Sequence, residues 1–80
     1  MFKIEDIIFI KNDLIIGKQY GNDVFASGME YFLDKKVIIS EVHNEKTPPK
    51  YYITGDENNW YWTEEMFMPA VEIYPTLKGI

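Results

Sequence analysis

The sequence predicts a mainly β fold, a small barrel of about five strands with one short helix and a helical turn before the last strand. Three observations lead there. Residues 50–63, KYYITGDENNWYWT, read as a β-hairpin dense in aromatic and β-branched side chains. Residues 4–11 and 36–42 are further extended apolar runs with alternating character. Gly, Asn, Asp and Pro cluster between these runs, where turns need them.

Residues 4–11 form the first expected strand. Side chains alternate along a strand, so Ile8 and Ile10 take the inward face, and Ile7 and Phe9 point outward. Both faces are then apolar at the middle, which a strand with one wet face avoids. Residues 11–27 form a long connection broken by Asn12-Asp13, Gly17, Gly21 and Asn22-Asp23, with short extended pieces expected at 14–16 and 24–26. Ser27-Gly28-Met29-Glu30 matches a capping box. Met29, Phe32 and Leu33 follow at helical spacing, which predicts a short helix over 28–33 that lids the core.

Residues 36–42 form the second long strand, with Val37 and Ile39 inward and Ile38 outward. A polar loop over 43–49 ends at Pro48-Pro49, which block helix. In the hairpin, the turn Gly55-Asp56-Glu57-Asn58 sets Thr54 against Asn59, Ile53 against Trp60, Tyr52 against Tyr61 and Tyr51 against Trp62. Tyr51, Ile53, Trp60 and Trp62 then share a core face, and Tyr52 and Tyr61 form an outward pair. Thr63 caps a helical turn that carries Glu64 and Glu65 at its positive end and stops at Pro69. Residues 70–74 make a last strand, and 75–80 a tail. The order of elements suggests an SH3-like barrel over residues 1–74. An OB-type barrel is the alternative, with longer strands and its helix between the third and fourth. The expected core is Ile8, Ile10, Met29, Val37, Ile39, Tyr51, Ile53, Trp60 and Trp62.

Composition narrows the function. The 80 residues carry a net charge of −5, and all eight basic residues are lysine. Phosphate binding rests on cationic side chains, with arginine the preferred fork, so nucleic acid is an unfavoured partner. There is no cysteine, hence no disulfide and no thiol chemistry. The N-terminus lacks a signal pattern, and no apolar run approaches the ~18 residues of a membrane span. A cytoplasmic protein with no membrane partner is expected.

Catalysis needs a nucleophile, a base and an orienting group together. The single histidine, His43, sits in a polar loop between Glu41 and Glu45, and Ser27 is accounted for as a helix cap. The carboxylate pairs Glu5-Asp6, Asp56-Glu57 and Glu64-Glu65 are adjacent in sequence; in strands such neighbours face opposite ways, and the last pair serves a helix dipole. One histidine cannot build a zinc site, and the calcium-loop positions after Asp56 are held by Tyr61 and Phe67. No enzyme, cofactor or metal is expected.

One resemblance bears on this. Asp6 before a strand, Asp13-Leu14, Tyr20-Gly21, Met29, Val37-Ile38-Ile39 and a closing Trp62-Thr63-x-Glu65-Met66 occur here in that order. The run resembles a group of small uncharacterised proteins of Gram-positive bacteria and their phages. The resemblance implies an SH3-like barrel and brings no agreed activity. In that pattern glycine is common where Glu5 and Asp34 stand, and polar residues are common at Ile7, Phe9, Ile15 and Ile38.

Two surfaces remain as candidates. SH3-like barrels often bind through aromatics beside the long first loop, which points to Tyr20, Tyr52 and Tyr61; the plainer reading is cross-strand pairing. Ile7, Phe9, Ile15 and Ile38 are surplus apolar side chains, which mark an interface unless the loop or tail covers them. The leading functional expectation is a non-enzymatic protein-binding module that docks on a protein partner or forms a homo-oligomer. The resemblance adds a phage-encoded modulator of a host protein or defence system. Binding of a nucleotide-like small ligand and weak binding of single-stranded nucleic acid are the alternatives.

Overall fold

The structure is a computed structural model that describes residues 2–68. The expected strand over 70–74 and the tail over 75–80 lie outside the described residues. Six strands occur among the described residues: β1 (Ile7–Ile10), β2 (Gln19–Tyr20), β3 (Asp23–Val24), β4 (Lys36–His43), β5 (Lys50–Ile53) and β6 (Phe67–Met68). A 3-10 helix spans Ser27–Phe32, and a 3-10 turn spans Glu64–Met66.

β5, β4, β1 and β6 form one antiparallel sheet in that order, and β2 and β3 form a separate ribbon. The fold is mainly β, as the alternation predicts. The sheet is open rather than a closed barrel. Trp62 bridges the outer edge of β5 at Tyr51, and six residues later Met68 pairs with β1 at Phe9. Between those contacts the chain forms the Glu64–Met66 turn, whose local bond from the Met66 amide to the Thr63 carbonyl takes up a donor that a ladder would need.

β1 is shorter than the expected strand over 4–11. Glu5 has φ +75°, and the turn beside it closes with the Asp6 amide on the Lys3 carbonyl at 3.0 Å. Asp34, with φ +63°, makes the corresponding left-handed step out of the 3-10 helix into β4. Left-handed backbone favours glycine, so both side chains stand in a conformation that L residues rarely adopt. The pieces expected at 14–16 and 24–26 are replaced by the β2–β3 ribbon. The helix is a 3-10 helix over Ser27–Phe32, and Ser27 is not its cap. Ala26 holds that position, no side-chain cap bond forms, and the Ala26 amide instead donates to Met29 Sδ at 3.2 Å. Thr63 does hold the N-cap position of its turn, but its side chain makes no cap bond; its hydroxyl donates to the Tyr20 carbonyl at 2.7 Å.

The core sits on the inner face of the sheet. Ile8, Ile10, Met29, Val37, Ile39, Tyr51, Ile53 and Trp62 are buried there, joined by Leu14, Phe25, Phe32, Met66 and Phe67. Trp62 is fully buried, edge-on to Phe25 and Phe32 at centroid distances of 6.5 and 5.7 Å. Trp60 departs from the expected core and is half-buried, its indole lying over Gly28. The reason is the turn. The second hairpin strand, expected over 59–63, is reduced to the single Tyr51–Trp62 bridge. Asn59 has φ +51°, and the Asp56 carboxylate takes the amides of Asn58 and Trp60 at 3.2 and 2.9 Å. Those bonds turn Trp60 away from a ladder position while leaving Trp62 in register.

Candidate functional site

The outer face of the sheet gathers the surplus apolar residues. β1 and β4 pair with Ile7 opposite Ile38, Ile8 opposite Val37 and Phe9 opposite Lys36. Ile8 and Val37 are buried on the core side, so Ile7, Phe9, Lys36 and Ile38 stand on the other side. Ile7 is 61% exposed and Ile38 42%. Phe9 is half-buried, with Met68 of β6 opposite it. Two large aliphatic side chains thus meet water at one register position.

A β-bulge decides what lies further along the same face. Ile39 pairs with Ile53, yet Glu41 pairs with Tyr52, so Ser40 is an extra residue in β4. The insertion restarts the alternation: Val42 packs inward against the core, and Glu41 and His43 face outward with Tyr52. Tyr52 and Tyr61 stack at 5.5 Å between centroids with planes 13° apart. The His43 ring stands edge-on to both, at 4.9 and 5.8 Å. Its Nε2 lies 3.3 Å from Glu41 and its Nδ1 3.4 Å from Glu45, while Lys46 Nζ lies 5.5 Å from the Tyr61 centroid.

Hydrogen bonding to Tyr61 pushes the Tyr52 phenol above its ordinary range. A backbone hydrogen bond, then His43, holds the Glu45 carboxyl below its own. No nucleophile–base pair is assembled here, and among the described residues no group of three His, Asp or Glu side chains is placed to hold a metal ion.

The β2–β3 ribbon bounds the face beyond the tyrosines. Lys50, opposite His43, is buried, ion-paired with Asp23 and within 3.4 Å of the Gly21 carbonyl. With the Thr63–Tyr20 bond, this pair ties the ribbon to the sheet.

No family model, curated protein or solved structure matches the chain. Of the expected aromatic surface, Tyr52 and Tyr61 come together and Tyr20 stands apart. Its ring lies under Lys18, and its hydroxyl accepts from the Ile15 amide at 2.9 Å. Of the expected apolar surface, Ile7, Phe9 and Ile38 share one face. Ile15 is 59% exposed, but in the loop before the ribbon, with no place in the sheet pairing.

His43, Glu41 and Lys36 were absent from both expected surfaces. The signal for Lys36 was in the sequence, two residues from Ile38 on the same strand. Glu41 and His43 needed the bulge. A shallow cleft of about 190 Å³ between Tyr31, Phe32 and the Gly55–Asn58 turn is smaller than the roughly 300 Å³ at which ligand sites begin.

Proposed function

We propose that this chain is a non-enzymatic protein-binding module that docks through the outer face of its β5-β4-β1-β6 sheet. The observation that carries this reading is the Ile7–Ile38 pair, two exposed aliphatic side chains directly opposite each other on central strands. Phe9 and Met68 extend the apolar strip on one side, and Tyr52 and Tyr61 on the other. Contiguous apolar surface rimmed by polar side chains marks interaction sites in soluble proteins. Aromatic residues are enriched at such interfaces.

An SH3-like architecture belongs to the same proposal. The segment that bridges β5 at Trp62 and pairs with β1 at Met68 runs from one edge of the three strands β5, β4 and β1 to the other, which supports an incomplete barrel. The left-handed Glu5 and Asp34, at the resembled pattern's glycine positions, support the likeness from the backbone side. A phage-encoded modulator of a host protein or defence system is the context that the likeness suggests.

The small-ligand and nucleic-acid alternatives fit less well. Tyr52 and Tyr61 stack on each other, leaving no slot for a planar group between them. Glu41 and Glu45 flank the stack, and carboxylates repel phosphates.

The test is photo-crosslinking in cells. A benzophenone amino acid at Ile7 is expected to give a discrete adduct, identified by mass spectrometry and lost with Ile38→Asp. Adducts no more discrete than those of the same probe at exposed Glu57 overturn the proposal.

A further inference from the structure

We infer that the occupant of the outer sheet face is a second copy of this chain, packed face to face about a two-fold axis that crosses β4 at Ile38. The inference rests on the docking reading above and names its partner. Three features of the face bear on this occupant: register places the axis, charge selects the arrangement and size sets the strength.

The first is register. Ile7 lies directly opposite Ile38, so a two-fold axis in the plane between two sheets, running across the strands at that position, sets Ile38 over its own copy and Ile7 over its own copy. The most exposed apolar pair of the sheet is then buried at the centre, where association gains most.

The second is charge. Lys36 precedes Ile38 on the outer face, and Glu41, carried outward by the Ser40 bulge, follows it; both are exposed. The axis across the strands runs the two β4 strands antiparallel, so Lys36 of each copy meets Glu41 of the other. An axis along β4 would instead set Lys36 against Lys36 and Glu41 against Glu41. The charge pattern thus favours one two-fold arrangement and opposes the other.

The third is size. The four strands hold 4, 8, 4 and 2 residues; at about 3.3 Å per residue and about 4.8 Å between strands they present roughly 300 Å². A standard interface takes roughly 800 Å² per partner, so the contact belongs to the weak, reversible class with a micromolar rather than nanomolar dissociation constant.

The experiment is sedimentation equilibrium of the full chain from about 1 µM to about 1 mM, a range set by that affinity class. The wild type is expected to interconvert between monomer and dimer. Lys36→Glu and Glu41→Lys should each weaken the dimer about tenfold or more, and the double variant should restore it to within about threefold. These are exposed positions, so each variant is expected to keep the wild-type circular dichroism. A dimer indifferent to the single reversals, or not rescued by the double variant, overturns the arrangement. A strict monomer at every concentration overturns the second copy as occupant, while the docking reading stands or falls on its own crosslinking result. A monomer that Ile38→Asp destabilises overturns it too, because the face would then be covered by the chain's own residues.

Discussion

Replacing Asp56 with alanine removes an acceptor that three donors share inside a turn. The carboxylate is buried, at 7% exposure. It takes the Asn58 amide at 3.2 Å, the Trp60 amide at 2.9 Å and the Trp62 indole Nε1–H at 3.1 Å. The three losses are unequal. Asn58 is exposed and Trp60 half-buried, so their amides regain water and lose about 0.5–1.5 kcal/mol each at most. Trp62 is fully buried, and its indole N–H has no other partner, which costs about 1–3 kcal/mol. Relief of the buried carboxylate offsets part of this.

The net expectation is a loss of about 3 kcal/mol, a large share of the roughly 5–15 kcal/mol that holds a small domain together. Urea denaturation followed by far-UV circular dichroism measures it. The same substitution in a Trp62→Phe background has no indole donor to orphan, so its cost should fall by about 1–2 kcal/mol. A loss under about 1 kcal/mol, or strictly additive effects in the cycle, would refute the claim that Asp56 holds Trp62 in the core.

Other outcomes follow from the same geometry. Burial, with the Glu64 contact at 2.7 Å, pushes the Tyr51 phenol up to about 12. The folded value lies above the unfolded one, so its contribution is complete below pH 10 and is lost as pH rises through 12. Solvent screening holds that loss to at most about 2–3 kcal/mol, and Tyr51→Phe should flatten the alkaline fall in stability measured by pH-dependent urea melts. Asp34→Gly should raise stability by about 0.5–1 kcal/mol by relieving a left-handed φ of +63°; a lower melting temperature would show that the Asp34 side chain has a role of its own. A Cβ at Gly28 would come within 2.9 Å of the Trp60 ring, so Gly28→Ala should cost about 1–2 kcal/mol and shift Trp60 fluorescence. Ser27→Ala should change stability by less than about 0.5 kcal/mol, since no side-chain cap bond forms there; a loss above about 1 kcal/mol would restore the serine cap.

The sequence by itself determined the faces. Ile8 and Ile10 against Ile7 and Phe9, Val37 and Ile39 against Ile38, and Tyr51 and Ile53 against Tyr52 follow from period-2 alternation, which is local to each strand. The Tyr51–Trp62 register and the Tyr52–Tyr61 stack were legible for the same reason, because turn length fixes which residues oppose. The candidate site was legible only in pieces. That Ile7 lies opposite Ile38 depends on strands separated by a long connection, and nothing local sets that pairing. The Ser40 bulge, which brings Glu41 and His43 to the tyrosines' side, is an extra residue relative to a partner strand and leaves no mark in one strand's own pattern. Ser27 and Asp56 show the same division. Each residue type suits the end of a helix or turn, but which donors and acceptors come within hydrogen-bonding reach of it was decided by packing, since a hydrogen bond needs both partners placed and only the folded chain places the second.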